Sequence, residues 1–381
     1  MQAIQISRTG GSDVLEPVEV PTPQPAAGEV LVEADAIGVN YFDLLIRTGR
    51  YRWMPALPFV LGNEMSGRVV AAGPDVGKLK IGQRVFIAGY DIGNRGGLYA
   101  QYAAVPEDAA WPLPDAIGAD EATALTNYQL AHILLHHAAR GVEPNTVVVY
   151  GAAGGVGSAL VDVARHAGAT VIGTAGSEEK CEFVRKRGAS HAINYNTQSV
   201  VERVNALTAH GADIVFDHVA GKVFTDGMKM VAPLGMIVSY AVLGGVPEDD
   251  LFKAMRANIE ASPAVRCFTM HTYDHMPKPR REAMQAAIDL MGSGKVRPAI
   301  AQTFPLAQAA RAHDLIESRT ATGKVVLQPR RRVIVRRSPP AAPPRRRAGS
   351  RCSRACSRTC RQRRRRPPDW ARKARACSRP A

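Results

Sequence analysis

Thr146-Val147-Val148-Val149-Tyr150-Gly151-Ala152-Ala153-Gly154-Gly155-Val156-Gly157 is the stretch on which the reading of this chain turns. Its β-branched opening has no polar alternation, which suits a strand covered on both faces of a parallel sheet. Glycines at 151, 154, 155 and 157 follow at once, and the segment beyond them has helical periodicity. Such a turn lets backbone N–H groups approach a diphosphate closely, and the helix that starts there turns its positive end toward the anion. The helix is predicted to set Val156, Leu160, Val163, Ala164 and Ala167 on its inner face and to stop at Gly168. Aligned with G-x-G-x-x-G, the residues are Ala152, Gly154 and Gly157, so the first glycine is replaced. Alone, this pattern equally describes a structural glycine-rich turn. The strand before it and the helix after it favour a dinucleotide site.

Working outward, a second strand at 170–173 leads to Ser177, a good N-cap, with Glu178 and Glu179 in the first helical turn. Gly188 closes that helix. Strands at 191–195, 212–217 and 236–240, with a sixth at 265–270, complete an α/β series that predicts a doubly wound parallel sheet. The first 120 residues differ: short apolar runs at 30–36, 66–72, 84–88 and 100–105, broken by Gly and Pro, predict a β-rich or barrel-like domain. A helical stretch begins near Glu121. After Pro263 come amphipathic helices near 281–291 and 306–318 and a closing strand at 323–327.

The end of the second strand selects the cofactor. NAD enzymes place an acid about 20 residues after the fingerprint begins. Here the stretch is Thr174-Ala175-Gly176-Ser177, without one. Ser177, with Lys180 one turn on and Tyr195 after the third strand, offers small polar and basic groups to a 2′-phosphate, so NADPH is expected. Glu178 and Glu179 must then point away, and the plainer reading of Lys180 is a solvated helix charge.

The chain has 381 residues with a net charge of +15, which hides two unlike parts. Residues 330–381 hold 19 Arg, one Lys and the single acid Asp369, for +19, whereas residues 1–329 carry 29 basic and 33 acidic residues, for −4. The length suggests two or three domains, and the mean hydropathy of −0.13 fits a water-exposed globular protein. No apolar run approaches the roughly 18–20 residues of a membrane span, so a membrane partner is not expected. The Arg/Pro/Ala/Ser-rich tail is expected to be disordered, because it lacks apolar surface to offset chain entropy. Its proportions resemble a GC-rich coding region read out of frame, which predicts a natural C-terminus near Pro329 or an unrelated sequence there. If genuine, the tail would support a second reading, a nucleic-acid-binding protein acting through arginine–phosphate contacts. Cys181 and Cys267 alone lie in the body and form no disulfide framework. The start MQAIQISRTGG lacks signal- and transit-peptide patterns, so cytoplasm is the expected location.

The segments PAAGEVLVEADAIGVNYFDLLIRTGRY (25–51), LGNEMSGRVVAAGPDV (61–76), IGQRVF (81–86), VVVYGAAGGVGSALVDVAR (147–165), GASHAINY (188–195) and GKVVL (323–327) resemble, in order, the zinc-independent, zeta-crystallin-like quinone oxidoreductases of the medium-chain dehydrogenase/reductase superfamily. The resemblance implies a GroES-like catalytic domain over 1–125, a Rossmann NADPH-binding domain over 126–265, a return to the catalytic domain over 266–329, and the tail beyond. It implies a homodimer formed through the Rossmann sheets. It assigns Ala152, Ala153, Gly154, Gly155, Val156 and Gly157 to the cofactor turn, and puts Gln129 beside the nicotinamide, the family's Gly-Leu-Thr there reading Asn127-Tyr128-Gln129. It places Asn40 and Tyr51 in the catalytic cleft with Asp43 beside them. The family's glutamine in the helix after the turn is Asp162 here.

Residue chemistry argues against a metal. A catalytic zinc needs about three converging Cys, His or carboxylate ligands. Residues 1–180 contain no cysteine. Asn40 stands where zinc-dependent relatives carry a ligand cysteine, and Gly62-Asn63-Glu64 where they carry Gly-His-Glu. His132 and His136 share a helical face without the Glu of H-E-x-x-H, and Cys352, Cys356 and Cys360 lack C-x-x-C spacing. The expected reaction is hydride transfer from NADPH to a quinone or related α,β-unsaturated carbonyl. The Asn40 amide and Tyr51 hydroxyl would support charge on the acceptor oxygen, with water giving the final proton. Asn40 as a turn cap, Tyr51 as mere packing and an Asp43–Arg47 pair are the plainer alternatives. An enone or enoyl-thioester reductase is the alternative within enzymes.

Overall fold

A computed structural model describes residues 1–329. The expectations for the tail, including disorder and nucleic-acid contacts, lie outside the described residues. The strands in chain order are β1 (Gln2–Ile6), β2 (Glu16–Glu19), β3 (Glu29–Val39), β4 (Phe59–Val60), β5 (Glu64–Ala72), β6 (Arg84–Ala88), β7 (Tyr102–Pro106) and β8 (Ala110–Pro112). Then follow β9 (Thr146–Val149), β10 (Thr170–Ala175), β11 (His191–Asn194), β12 (Ala212–Asp217), β13 (Val231–Ser239), β14 (Ala264–Cys267), β15 (Ile300–Pro305) and β16 (Lys324–Gln328).

Strands β9 to β14 make one parallel sheet in the order β11-β10-β9-β12-β13-β14. Numbered within the sheet this is 3-2-1-4-5-6, the doubly wound order whose reversal lies beside the first strand. Alternate residues of β9 enter different cores: Val147 and Val149 pack with Leu160, Val171, Ile214 and Phe216, while Val148 packs with Ile172, Val215 and Ile237. Both faces are therefore covered, and full burial of each such side chain contributes about 1.5–3 kcal/mol.

The other large sheet runs β15-β16-β3-β5-β6-β8, with β7 also on β3. Strands β15 and β16 come from the end of the body, so the chain does return to its first sheet. Phe304, Leu306, Val325 and Leu327 share a core with Ile4, Val32, Ile37 and Met65. On β3, Val39 faces Val325 of β16, and Ile37 faces Met65 of β5. These registers bring the end of β3 between Lys324 and Glu64.

Local pattern misjudged several details. Helix Gly155–His166 is buried all along 157–164, whereas Ala167, predicted to face inward, is exposed. Strand β13 starts at Val231, five residues before the predicted start, because Leu234 adopts φ +60° and a register shift lets the chain pass Pro233 and Gly235 without leaving the sheet. The short strands β1, β2, β4 and β15 gave no distinct signal. Among the described residues no helix is long and apolar enough to cross a membrane.

Candidate active site

Asn40 directly follows β3 and caps the helix Tyr41–Arg47. Its backbone N–H donates to Asp43 Oδ2 at 2.8 Å, closing the helix's first turn. Its side-chain Oδ1 accepts from Lys324 Nζ at 2.6 Å. The same ammonium pairs with Glu64, which also accepts from the Thr126 hydroxyl. Lys324 and Glu64 are 3% and 0% exposed, so this cation is held almost without water. Gly38 makes the contact possible: a Cβ there would lie 1.9 Å from Glu64 Oε1 and 2.7 Å from Lys324 Cε. With Oδ1 occupied, the amide group of Asn40 is left as a donor, and its Nδ2 is buried without a partner.

Asp43 lies behind Asn40. It is fully buried, and burial raises its carboxyl to about 7, with the Asn40 N–H and the Tyr99 hydroxyl pulling the other way. Tyr99 donates to Asp43 Oδ2 at 3.2 Å and lies 3.1 Å from His313 Nε2. His313 is held neutral by burial, its pKa pushed down to about 3. Arg47, the ion-pair partner considered for Asp43, instead reaches Glu317 at 2.7 Å.

Tyr51 opens on a cavity of about 560 Å³ lined by Phe42, Trp53, Phe59, Arg95, His271 and Asp274, among others. Its hydroxyl lies 2.7 Å from His271 Nε2, and Phe42 meets its ring edge-on at 4.6 Å. Burial holds the phenol above its usual value. A smaller cavity of about 110 Å³, around Lys78, Glu107 and Arg281, shares no residue with this one.

The glycine turn after β9 has the geometry expected of an anion cradle. Gly151 adopts φ +59°, and a Cβ on Gly157 would lie 2.3 Å from the Gly151 carbonyl oxygen, so both positions exclude side chains. At Gly154 a Cβ would meet nothing closer than 3.5 Å, which leaves open space on that side. Helix Gly155–His166 begins here, so the N–H groups of Gly155, Val156 and Gly157 have no intrahelical acceptor. Ala152 is accommodated because Gly173 of β10 lacks a side chain against its methyl. The Ala153 carbonyl accepts from Gly323 N at 2.9 Å, and Gly154 forms a parallel bridge with Gly323, so the segment entering β16 lies on the turn.

Ser177 caps helix Glu178–Lys186, its hydroxyl accepting from Lys180 N at 3.2 Å. Lys180 Nζ donates to the Arg319 carbonyl. The Tyr195 hydroxyl lies 2.6 Å from where a Cβ of Gly176 would stand. These three therefore gather at the end of β10, as the sequence suggested.

Gln129 is not at the turn. It is 2% exposed and donates to the Arg280 carbonyl of helix Pro277–Gly292 at 2.9 Å. Two neighbours on its helix, Leu125–Ile133, face the site instead: Asn127 Nδ2 lies 2.7 Å from the Cβ position of Gly155, and Thr126 reaches Glu64. Asp162 is balanced by Arg187 and by the Tyr128 hydroxyl at 2.5 Å. Its carboxylate thus belongs to packing between helices. Lys324, Thr126, His271, Arg95 and Asp274 were missed, and Glu64 had been noted only within Gly62-Asn63-Glu64, in the argument against zinc. Only Lys324 carried a hint, as the residue after Gly323 in GKVVL.

A doubly wound sheet with an open glycine turn, joined to a barrel carrying an amide and a phenol at its edge, defines a two-domain dehydrogenase or reductase of the medium-chain type. Residues 26–115 match the alcohol dehydrogenase GroES-like domain, and residues 187–327 match the zinc-binding dehydrogenase domain. The chain is 32% identical to the quinone oxidoreductase of Mus musculus over 336 residues, covering 86% of this chain and 97% of that protein. It is 31% identical to a 2-haloacrylate reductase of Burkholderia, over 86% of this chain and 99% of that one. The Escherichia coli quinone oxidoreductase, solved with NADPH, superposes with a TM-score of 0.78 at 31% identity, covering 86% of this chain and 100% of that one. The chain belongs to the quinone oxidoreductase family of the medium-chain dehydrogenase/reductase superfamily, a family of oxidoreductases.

Proposed function

We propose that this chain is an NADPH-dependent reductase that acts without zinc on a quinone or a similar α,β-unsaturated carbonyl. When bound, NADPH supplies the hydride; the protein's part is to hold the donor and acceptor and to stabilise charge arising on the acceptor oxygen. The N–H groups of Gly155, Val156 and Gly157 would take the diphosphate. Ser177, Lys180 and Tyr195 would take the 2′-phosphate, with the Lys180 ammonium as the charged donor.

The observation that carries the catalytic reading is the buried, unpartnered Nδ2 of Asn40, oriented by Lys324 on the other side of its amide. A donor left unmade in a buried site is destabilising by about 1–3 kcal/mol unless a ligand oxygen takes it. Together with the Tyr51 hydroxyl it would receive the developing oxyanion. Asp43 acts on the backbone of Asn40 and so positions it. The zinc-free reading is supported by the donor set: Asn40 stands where zinc-dependent relatives hold a ligand cysteine, and it and the neighbouring Glu64 both engage the Lys324 ammonium.

The aromatic walls of the larger cavity suit a flat conjugated ring. Reduction of a carbon–carbon double bond in an enone is the second reading, favoured by the likeness to the 2-haloacrylate reductase. A homodimer is supported by β14 ending the parallel sheet as an edge strand. The test follows NADPH consumption with a quinone and an enone side by side, after chelation and metal analysis. Turnover of the quinone at full rate in metal-free enzyme, and a loss of roughly 100-fold in Asn40→Ala, are expected. Full turnover in Asn40→Ala with every acceptor would refute the assignment.

A further inference from the structure

We propose that His271 is the proton relay of this site, feeding the Tyr51 hydroxyl from solvent, with Asp274 and Arg95 as the groups that position its ring. This deepens the reading above and rests on it. His271 Nε2 lies 2.7 Å from the Tyr51 hydroxyl, and Nδ1 lies 2.9 Å from Asp274 Oδ2. Arg95 Nη2 pairs with Asp274 Oδ1 at 2.6 Å, and its Nη1 lies 2.6 Å from His271 Nδ1. Trp53 stacks on the imidazole with centroids 3.6 Å apart, and Tyr90 meets it edge-on at 6.2 Å with Arg280 beyond. Tyr51 and Trp53 come from the loop after helix Tyr41–Arg47, Arg95 from the loop before β7, and His271 and Asp274 from the short 3-10 helix Met270–His275.

The arrangement gives the ring a partner in every protonation state. With a proton on Nδ1 it donates to Asp274, and Nε2 accepts from Tyr51. With the proton on Nε2 it donates to Tyr51, and Nδ1 accepts from Arg95, whose guanidinium has only donors. Doubly protonated, it donates to Asp274 and Tyr51 together. An ion pair serving only to clasp two loops would need Arg95 and Asp274 but not an imidazole ending on a hydroxyl at the cavity wall. The His271 side chain is 11% exposed and that of Asp274 26%, so solvent reaches the relay.

The proton count is that of the two-electron reaction. The acceptor gains a hydride and one proton. Starting from the doubly protonated ring, the acceptor oxygen takes the Tyr51 O–H proton and the Tyr51 oxygen takes the Nε2 proton; His271 is left neutral with Nδ1–H still donating to Asp274, and one proton from solvent restores the imidazolium. Burial keeps the Tyr51 phenol protonated through neutral pH, as an acid in this role must be.

The test uses the full chain with NADPH and a quinone. In His271→Gln, NADPH affinity measured by fluorescence stays within about twofold, while kcat falls roughly 100-fold and the pH dependence of kcat flattens. His271→Ala behaves likewise, and added imidazole restores part of its turnover through the gap beside Trp53. Imidazole does nothing for Tyr51→Phe. Parental kcat and pH profile in His271→Gln would overturn the relay, as would a loss in His271→Ala that imidazole cannot restore. Should the parent reduce no acceptor at all, the functional reading fails separately. The relay is then judged by nuclear magnetic resonance titration of the His271 ring, whose midpoint moves by about half a pH unit or more in Tyr51→Phe if the two are coupled. An unmoved midpoint overturns it.

Discussion

Lys324 Nζ stands 2.6 Å from Asn40 Oδ1, although 284 positions separate the two in the chain. An ammonium only donates, so it fixes which end of the Asn40 amide faces away from it. The orientation of the group proposed to meet the acceptor is therefore set by a residue that is itself 3% exposed.

Replacing that ammonium separates orientation from charge balance. Lys324→Met leaves Glu64 buried without its cation, a loss of about 3–5 kcal/mol. The double variant Lys324→Met/Glu64→Gln recovers most of that stability in thermal unfolding. Its kcat remains at least tenfold below the parent because Asn40 is free to flip, while NADPH affinity is unchanged.

The glycine turn yields a paired test. In Gly157→Ala the new methyl group meets the Gly151 carbonyl oxygen at 2.3 Å, so thermal stability falls by about 1–3 kcal/mol along with NADPH binding. In Gly154→Ala the methyl group has room, its nearest neighbour lying at 3.5 Å. That variant unfolds like the parent yet binds NADPH at least tenfold more weakly, because the methyl occupies the ligand's side of the turn.

The proposed 2′-phosphate contact makes cofactor selectivity a test of Lys180. A hydrogen bond from a charged group contributes about 1.5–3 kcal/mol. Lys180→Ala accordingly weakens NADPH about tenfold or more and leaves NADH unaffected, as fluorescence titration with each nucleotide would register.

Asp43 and His313 flank Tyr99 and respond oppositely to acid. The folded state holds the Asp43 proton up to about pH 7, whereas the unfolded chain releases it near 3.8, so this group's stabilisation is lost as pH rises through that window. His313 is neutral in the fold down to about pH 3, so its contribution is present above 6.5 and lost as pH falls. Between about pH 4 and 6.5 the two slopes oppose each other. Asp43→Asn removes one of them, and its stability relative to the parent rises with pH by up to about 1.4 kcal/mol per unit across that window. Thermal unfolding of both proteins from pH 4 to 7.5 measures the difference.

What local sequence could reveal was whatever depends on neighbours in the chain. The valine run of β9, the glycines after it and the Ser177 cap are short-range features, and the parallel sheet followed from them. The Glu64–Lys324–Asn40 cluster and the Tyr51–His271 contact depend on sheet register and on a 3-10 helix far along the chain, which no window contains. Gln129 was misplaced because position in a motif says nothing of rotation about a helix axis. It turns toward helix Pro277–Gly292, while Thr126 and Asn127 turn toward the cleft. Asp162 reads as a departure in sequence, yet Arg187 neutralises it in space.

The bridge between Gly154 and Gly323 ties the glycine turn to the segment that enters β16. The first lobe needs β16 for its sheet, and the backbone delivering β16 leans on the nucleotide lobe's own loop. A fragment ending before residue 300 would leave β3 without β16, while the sheet of β9 to β14 would keep all six strands, so the first lobe is the one that should resist excision.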